Sequence, residues 1–105
     1  MSKIVATKIE GQKGLTIFSF RPLAGSTMRL LGIELSSTRR VEIGVESVRV
    51  GGGACLLAGH PESLTIDGTL SPPLLAQPVV TGPNEIVAIF HGPDARDLDV
   101  MFDFS

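Results

Sequence analysis

Glycine and proline break this chain into short apolar runs, and that punctuation constrains its fold more than any other feature. The twelve Gly and seven Pro are spread between the runs and gather into no linker or low-complexity tract. The runs themselves are rich in Val, Ile, Leu, Thr and Phe and alternate in polarity. Short alternating runs closed by turn residues are the pattern of a β-sandwich or barrel. No internal repeat is present.

Residues 3–9 (KIVATKI) form the first expected strand, and Gly11 to Gly14 a turn. Residues 15–20 (LTIFSF) follow, with Phe18 and Phe20 on one face, and Arg21-Pro22 ends them. Leu23 to Thr27 read as a loop. In residues 28–35, Leu31, Ile33 and Leu35 share a face, and Ser36-Ser37-Thr38 read as a turn. Residues 39–50 (RRVEIGVESVRV) are the longest alternating run. Val41, Ile43 and Val45 have one parity and Val48 and Val50 the other, which predicts a β-bulge near Glu46-Ser47. Gly51-Gly52-Gly53 is a turn, residues 54–58 a short strand, and 63–67 with Thr69-Leu70 flank an expected tight Asp67-Gly68 hairpin. Pro72, Pro73 and Pro78 make residues 71–78 a loop or edge. Residues 79–81 and 85–90 are strands on either side of the Gly82-Pro83-Asn84 turn. The chain closes on 98–104 (LDVMFDF), with Leu98, Val100, Phe102 and Phe104 inward and Asp99, Met101 and Asp103 outward. The expected fold is a single all-β domain over residues 1–105, an antiparallel sandwich of jelly-roll or Greek-key type with eight or nine short strands.

Composition narrows the function classes. At 105 residues the chain buries enough surface to fold without a staple. Charged residues make up 19% of it, against about 25% in ordinary soluble domains. Such a surface leaves room for apolar contact with a partner. The five Phe all lie in strand-like runs and there is no Tyr or Trp, so recognition by stacking on exposed rings is unsupported. Cys55, the sole cysteine, reads as a small buried hydrophobe in an apolar run. The N-terminus lacks the apolar core of a signal peptide, and no run reaches the roughly 18 apolar residues that would span a membrane. The expectation is a protein made in the cytoplasm, with no membrane partner.

Charge is segregated along the chain. Residues 1–52 carry eight Lys/Arg against four acids, a net +4; residues 53–105 carry Arg96 against seven acids, a net −6. Either strands from the two halves interleave and the charges mix, or the surface is dipolar and favours oriented docking. Arg39-Arg40 with Arg29, Arg49 and Lys8 make a basic cluster that Glu42 and Glu46 partly neutralise. No nucleic-acid partner is expected.

Motifs for catalysis are missing. No Gly-x-Ser-x-Gly elbow occurs, and Gly51 to Gly53 lacks the Lys-Ser/Thr of a phosphate loop. A cupin-like metal site would draw on His60, Glu62 and His91, but the His-x-His pair is absent and Pro61 separates His60 from Glu62. Asp94, Asp97, Asp99 and Asp103 read as a solvated face or an acidic docking strip, since Ca²⁺ loops concentrate their oxygens more tightly. The expectation is therefore no catalytic, cofactor-binding or metal-ligating residues, no cofactor and no small-molecule substrate.

The Thr/Ser/Gly/Pro-punctuated β pattern, the lack of cysteine pairs and the apolar terminal strand 98–104 together resemble small virion accessory proteins of tailed bacteriophages, such as capsid cement (decoration) proteins. The resemblance implies a sandwich or jelly-roll fold, a homo-oligomer with a trimer favoured, and binding to capsid subunits. Loops 21–27 and 71–84 would then be contact elements, and the protein would reside in the virion. Alternative readings are a small cupin-like metal-binding barrel, or a generic intracellular β-sandwich adaptor.

Overall fold

The computed structural model describes residues 2–53 and 55–105. Its strands are β1 (Ser2–Val5), β2 (Thr7–Glu10), β3 (Leu15–Phe20), β4 (Thr27–Val50), β5 (Ser63–Leu70), β6 (Val79–Thr81), β7 (Ile86–His91) and β8 (Asp99–Phe104), with one 3-10 turn at Ala95–Asp97. All pairings are antiparallel. The all-β antiparallel fold expected from the punctuation is what the chain adopts, with eight strands in a nearly closed sheet.

β4 organises the molecule. It is 24 residues long and serves both halves of the sheet. Leu35 and Ser36 each lie between β5 on one side and β8 on the other, whereas Gly44 lies between β5 and β7. β8 and β7 therefore share one edge of β4, at its beginning and its end, and β5 holds the opposite edge across the middle. The register shifts at Leu30/Gly32, at Ser37/Val41 and at Val45/Ser47. Such irregularities bend and twist a strand, and here they carry β4 from one half of the sheet to the other. The third is the bulge expected from the parity change at Glu46-Ser47.

The sheet order is β1-β8-β4-β7-β3-β2, so its two ends are the two strands adjacent in sequence. Ala6 is the hand-over: its N–H donates to Val100 O at 2.9 Å, extending the β1–β8 ladder, and the next residue opens β2. The expected single strand 3–9 is therefore two strands on two edges.

Other expectations change as well. Ser36-Ser37-Thr38 is not a turn, because β4 runs through it and the irregularity between Ser37 and Val41 absorbs its extra residues. Asp67-Gly68 is not a hairpin: β5 is continuous, and Gly68, at φ +86°, lies opposite Ser37 at that same bend. The extra residue at Leu31 puts Leu30, not Leu31, into the core beside Ile33 and Leu35. In the expected strand 54–58, Ala54 lies outside the described residues, and the only ladder contact of 55–58 is a bridge from Leu57 to Leu74. Cys55 is half-buried at the margin of the core.

The core takes residues from every strand except β2, whose residues are all exposed. Phe18, Phe90, Phe102 and Phe104 are buried, and Phe20 packs on Phe104 with ring centroids 5.7 Å apart. Phe18 and Phe90 meet at 5.9 Å and a tilt of 57°. Burying each ring contributes about 2–3 kcal/mol. Leu98, Val100, Phe102 and Phe104 all point inward as the alternation of the last strand requires.

Candidate functional site

The candidate metal ligands lie on different supports. His91 ends β7, and its ring lies over Gly44 of β4, where a Cβ would collide with the imidazole. Its Nδ1 stands 3.8 Å from Glu46 Oε2, both side chains being half exposed. Glu62 is placed by its backbone: its carbonyl accepts from Val45 N–H at 2.8 Å. His60 belongs to a turn with φ +45° and donates its N–H to Leu57 O. Among the described residues no group of three or more His, Cys, Asp or Glu is gathered closely enough to hold a metal ion, so His60, Glu62 and His91 do not converge into such a site.

Opposite charges from the two halves of the sequence meet on the surface. Arg39, on the bend of β4, donates from Nη2 to Asp94 Oδ1 at 2.8 Å and to Asp97 Oδ2 at 2.6 Å. These hydrogen bonds, that to Asp94 first, raise the Arg39 pKa above its ordinary value. The pair pins the 3-10 turn into the gap where β7 and β8 part along β4. Lys8 reaches Arg96 O at 3.0 Å and Asp99 at 3.7 Å, and Arg21 reaches Glu85 at 3.6 Å. Arg40 turns to Glu42 at 3.8 Å, and Arg29 donates to Gln77 O. The segregated charges therefore mix in space. Neither the basic cluster nor the acidic strip is a surface of one sign.

Among the described residues, two surface grooves lie near the strands discussed above. The larger, about 370 Å³, forms where residues 71–78 bow away from β4 between the end of β5 and the start of β6; Gly32, Pro72 and Leu74 line it with Lys3, Glu34 and Asp103. Lys3 Nζ donates to Glu34 Oε2 at 2.8 Å, and this bond raises the Lys3 pKa. A second groove, about 300 Å³, lies beside the β2–β3 turn between Glu10, Leu15, Pro93 and Arg96.

The two loops singled out in the sequence come together. Gly82 N–H donates to Ser26 O at 2.9 Å, and Gly82 sits so close under the Leu23 carbonyl that any side chain there would collide with it. Ser26 N–H and Oγ both bond Leu23 O, holding the first loop in a tight turn. On these segments Leu23 is 83% exposed, Leu75 55% and Val79 49%.

Sequence reasoning missed one surface. β3 and β7 are apolar on both faces, and pairing aligns Ile9, Ile17 and Ile89 as one outward row across β2, β3 and β7. The signal was present in the runs LTIFSF and EIVAIF, whose apolar residues occupy both parities. Comparison of the chain with protein-family models, with curated proteins and with solved structures finds no match.

Proposed function

We propose that this protein is a non-enzymatic structural or assembly protein. Its most concrete form is a capsid cement (decoration) protein of the tailed-bacteriophage kind, stabilising a protein shell through subunit–subunit contacts. The observation that carries the reading is the loop surface, where Leu23, Leu75 and Val79 stand exposed outside a core that is complete without them. Large apolar side chains exposed on ordered segments lose water contact only when a partner covers them. The partners are other copies of this chain and a shell-forming protein. The protein is made in the host cytoplasm and resides in the virion.

The mechanism is mass action. A protein that binds only the assembled shell stabilises it in proportion to occupancy, and the symmetry-related sites add their effects. The loops suit this work because the bonds from Ser26 and Gly82 hold them before binding, so little ordering remains to oppose association.

The test is co-sedimentation with tailed-phage shells stripped of accessory proteins. Wild type is expected to pellet with the shells and raise their disruption temperature, and Leu23→Asp to do neither while unfolding at the wild-type temperature. Failure of wild type to bind at saturating concentration overturns the cement form of the proposal.

A further inference from the structure

We infer that β2 is the self-association edge of this protein, and that a second copy of the chain pairs with it antiparallel about a twofold axis at Ile9. β2 ends the sheet order and pairs on one side only, with β3. Every one of its residues is exposed, Ile9 at 53%. The hydrogen-bonding direction of its edge follows from the adjoining turn. Gly11 N–H donates to Leu15 O at 2.8 Å. Backbone groups alternate between the two edges of a strand, so Thr7 and Ile9 are directed at β3 and Lys8 and Glu10 at the open side.

That open side is complementary to itself. An antiparallel copy centred on Ile9 sets Lys8 opposite the partner's Glu10 and Glu10 opposite the partner's Lys8. Both are then hydrogen-bonded pairs with opposite charges. Ile9 meets the partner's Ile9 at the non-hydrogen-bonded position, where side chains come closest. The outward row Ile9, Ile17 and Ile89 continues across the axis into the same row of the second copy. One-residue shifts in register lose both charge pairs.

A lysine on an edge strand ordinarily discourages pairing, because a partner strand would strip its water. Here Lys8 already has Arg96 O and Asp99 as neighbours, and the twofold register adds a carboxylate. Glu10 has no ion-pair partner among the described residues, and the second copy supplies one. β2 is four residues long, so the interface is small and the association reversible and concentration-dependent.

The inference stands on the edge itself and holds whether or not a shell is the final partner. It is tested by sedimentation with interference optics, since a chain without Trp or Tyr absorbs weakly. Wild type is expected to shift from monomer to dimer with rising concentration. Glu10→Lys, which faces Lys8 of the partner subunit with a like charge, weakens the dimer by about tenfold or more. Mixing Glu10→Lys with Lys8→Glu restores a dimer tighter than either variant forms alone. Thermal unfolding of each variant confirms that it is folded. A wild type that stays monomeric throughout, a trimer insensitive to Glu10→Lys, or a mixture with no recovery overturns the inference. Shell binding by a monomer would leave the proposed function standing while this inference fell.

Discussion

The two halves of the sheet share β4 and a core, yet their outer faces differ. Across β1, β8 and β4 the outward rows read Lys3–Asp103–Gly32 and Val5–Met101–Glu34, with a charge in each and a Lys3–Glu34 ion pair between them. Across β2, β3 and β7 the central row is Ile9–Ile17–Ile89. A one-sided antiparallel sheet alternates apolar-in and polar-out; the first half keeps a charge in each outward row, although Val5 and Met101 stand outward beside Glu34. The second breaks the alternation in the strands that flank an open edge. The difference teaches that the core does not account for the apolar content of this chain. Part of it is spent on outside surface, of which the isoleucine row is the part carried by paired strands.

The largest effect expected from breaking the comparison sets the inner face against the outer. Phe18→Ala, on the inner face of β3, should lower unfolding free energy by about 3–5 kcal/mol in a denaturant titration. Ile17→Thr, one residue away on the outer face, keeps a β-branched side chain and should change it by no more than about 1 kcal/mol. Equal losses at the two positions would show that the isoleucine row is covered within the monomer. Next comes Gly44→Ala, on the strand that joins the halves. The new methyl must displace the His91 ring, which is half exposed and can swing aside, so the loss should be about 1 kcal/mol, the low end for an overpacked site. Gly44→Ala with His91→Ala should recover most of that loss.

Arg39→Ala should act more weakly, within about 1 kcal/mol, because its pairs with Asp94 and Asp97 are half exposed. Its sharper readout is local, namely faster amide exchange at Asp97 and Leu98, whose N–H groups close the 3-10 turn. The smallest effect lies on the charged face. Glu34 raises the Lys3 pKa, so the folded state holds that proton more tightly than the unfolded one. The contribution is fully present below the ordinary lysine value of about 10.4 and fades as pH rises through the higher folded value. Lys3→Met should abolish that alkaline slope and leave stability at neutral pH nearly unchanged.

Local chemistry was readable in the sequence wherever it decided the outcome. The final strand shows its alternation without interruption, and the parity change at Glu46-Ser47 located a bulge because a slip in register must swap faces. The loops 21–27 and 71–78 were marked by proline. What escaped was set by tertiary pairing. Ser36-Ser37-Thr38 and Asp67-Gly68 look like turns one at a time, but they lie opposite each other, and two irregular segments side by side make one bend. Ala6 has no turn chemistry at all. It divides a strand only because Val100 accepts its N–H before the chain leaves for β3. Whether His60, Glu62 and His91 meet was not legible, since spacing in sequence says nothing about which strand end or turn carries each side chain.

The hand-over at Ala6 has a bearing on synthesis. Ser2 lies opposite Phe104 and Val5 opposite Met101, so β1 has nothing to pair with until β8 has left the ribosome. Its neighbour β2 can form a hairpin with β3 at once. A nascent chain can thus form the β2–β3 hairpin, with Ile9 beside Ile17, while β1 waits for β8 and the row waits for Ile89 of β7. Contacts between such distant residues close slowly. During that interval the edge of β2 already stands open, and a neighbouring nascent copy is a partner for it.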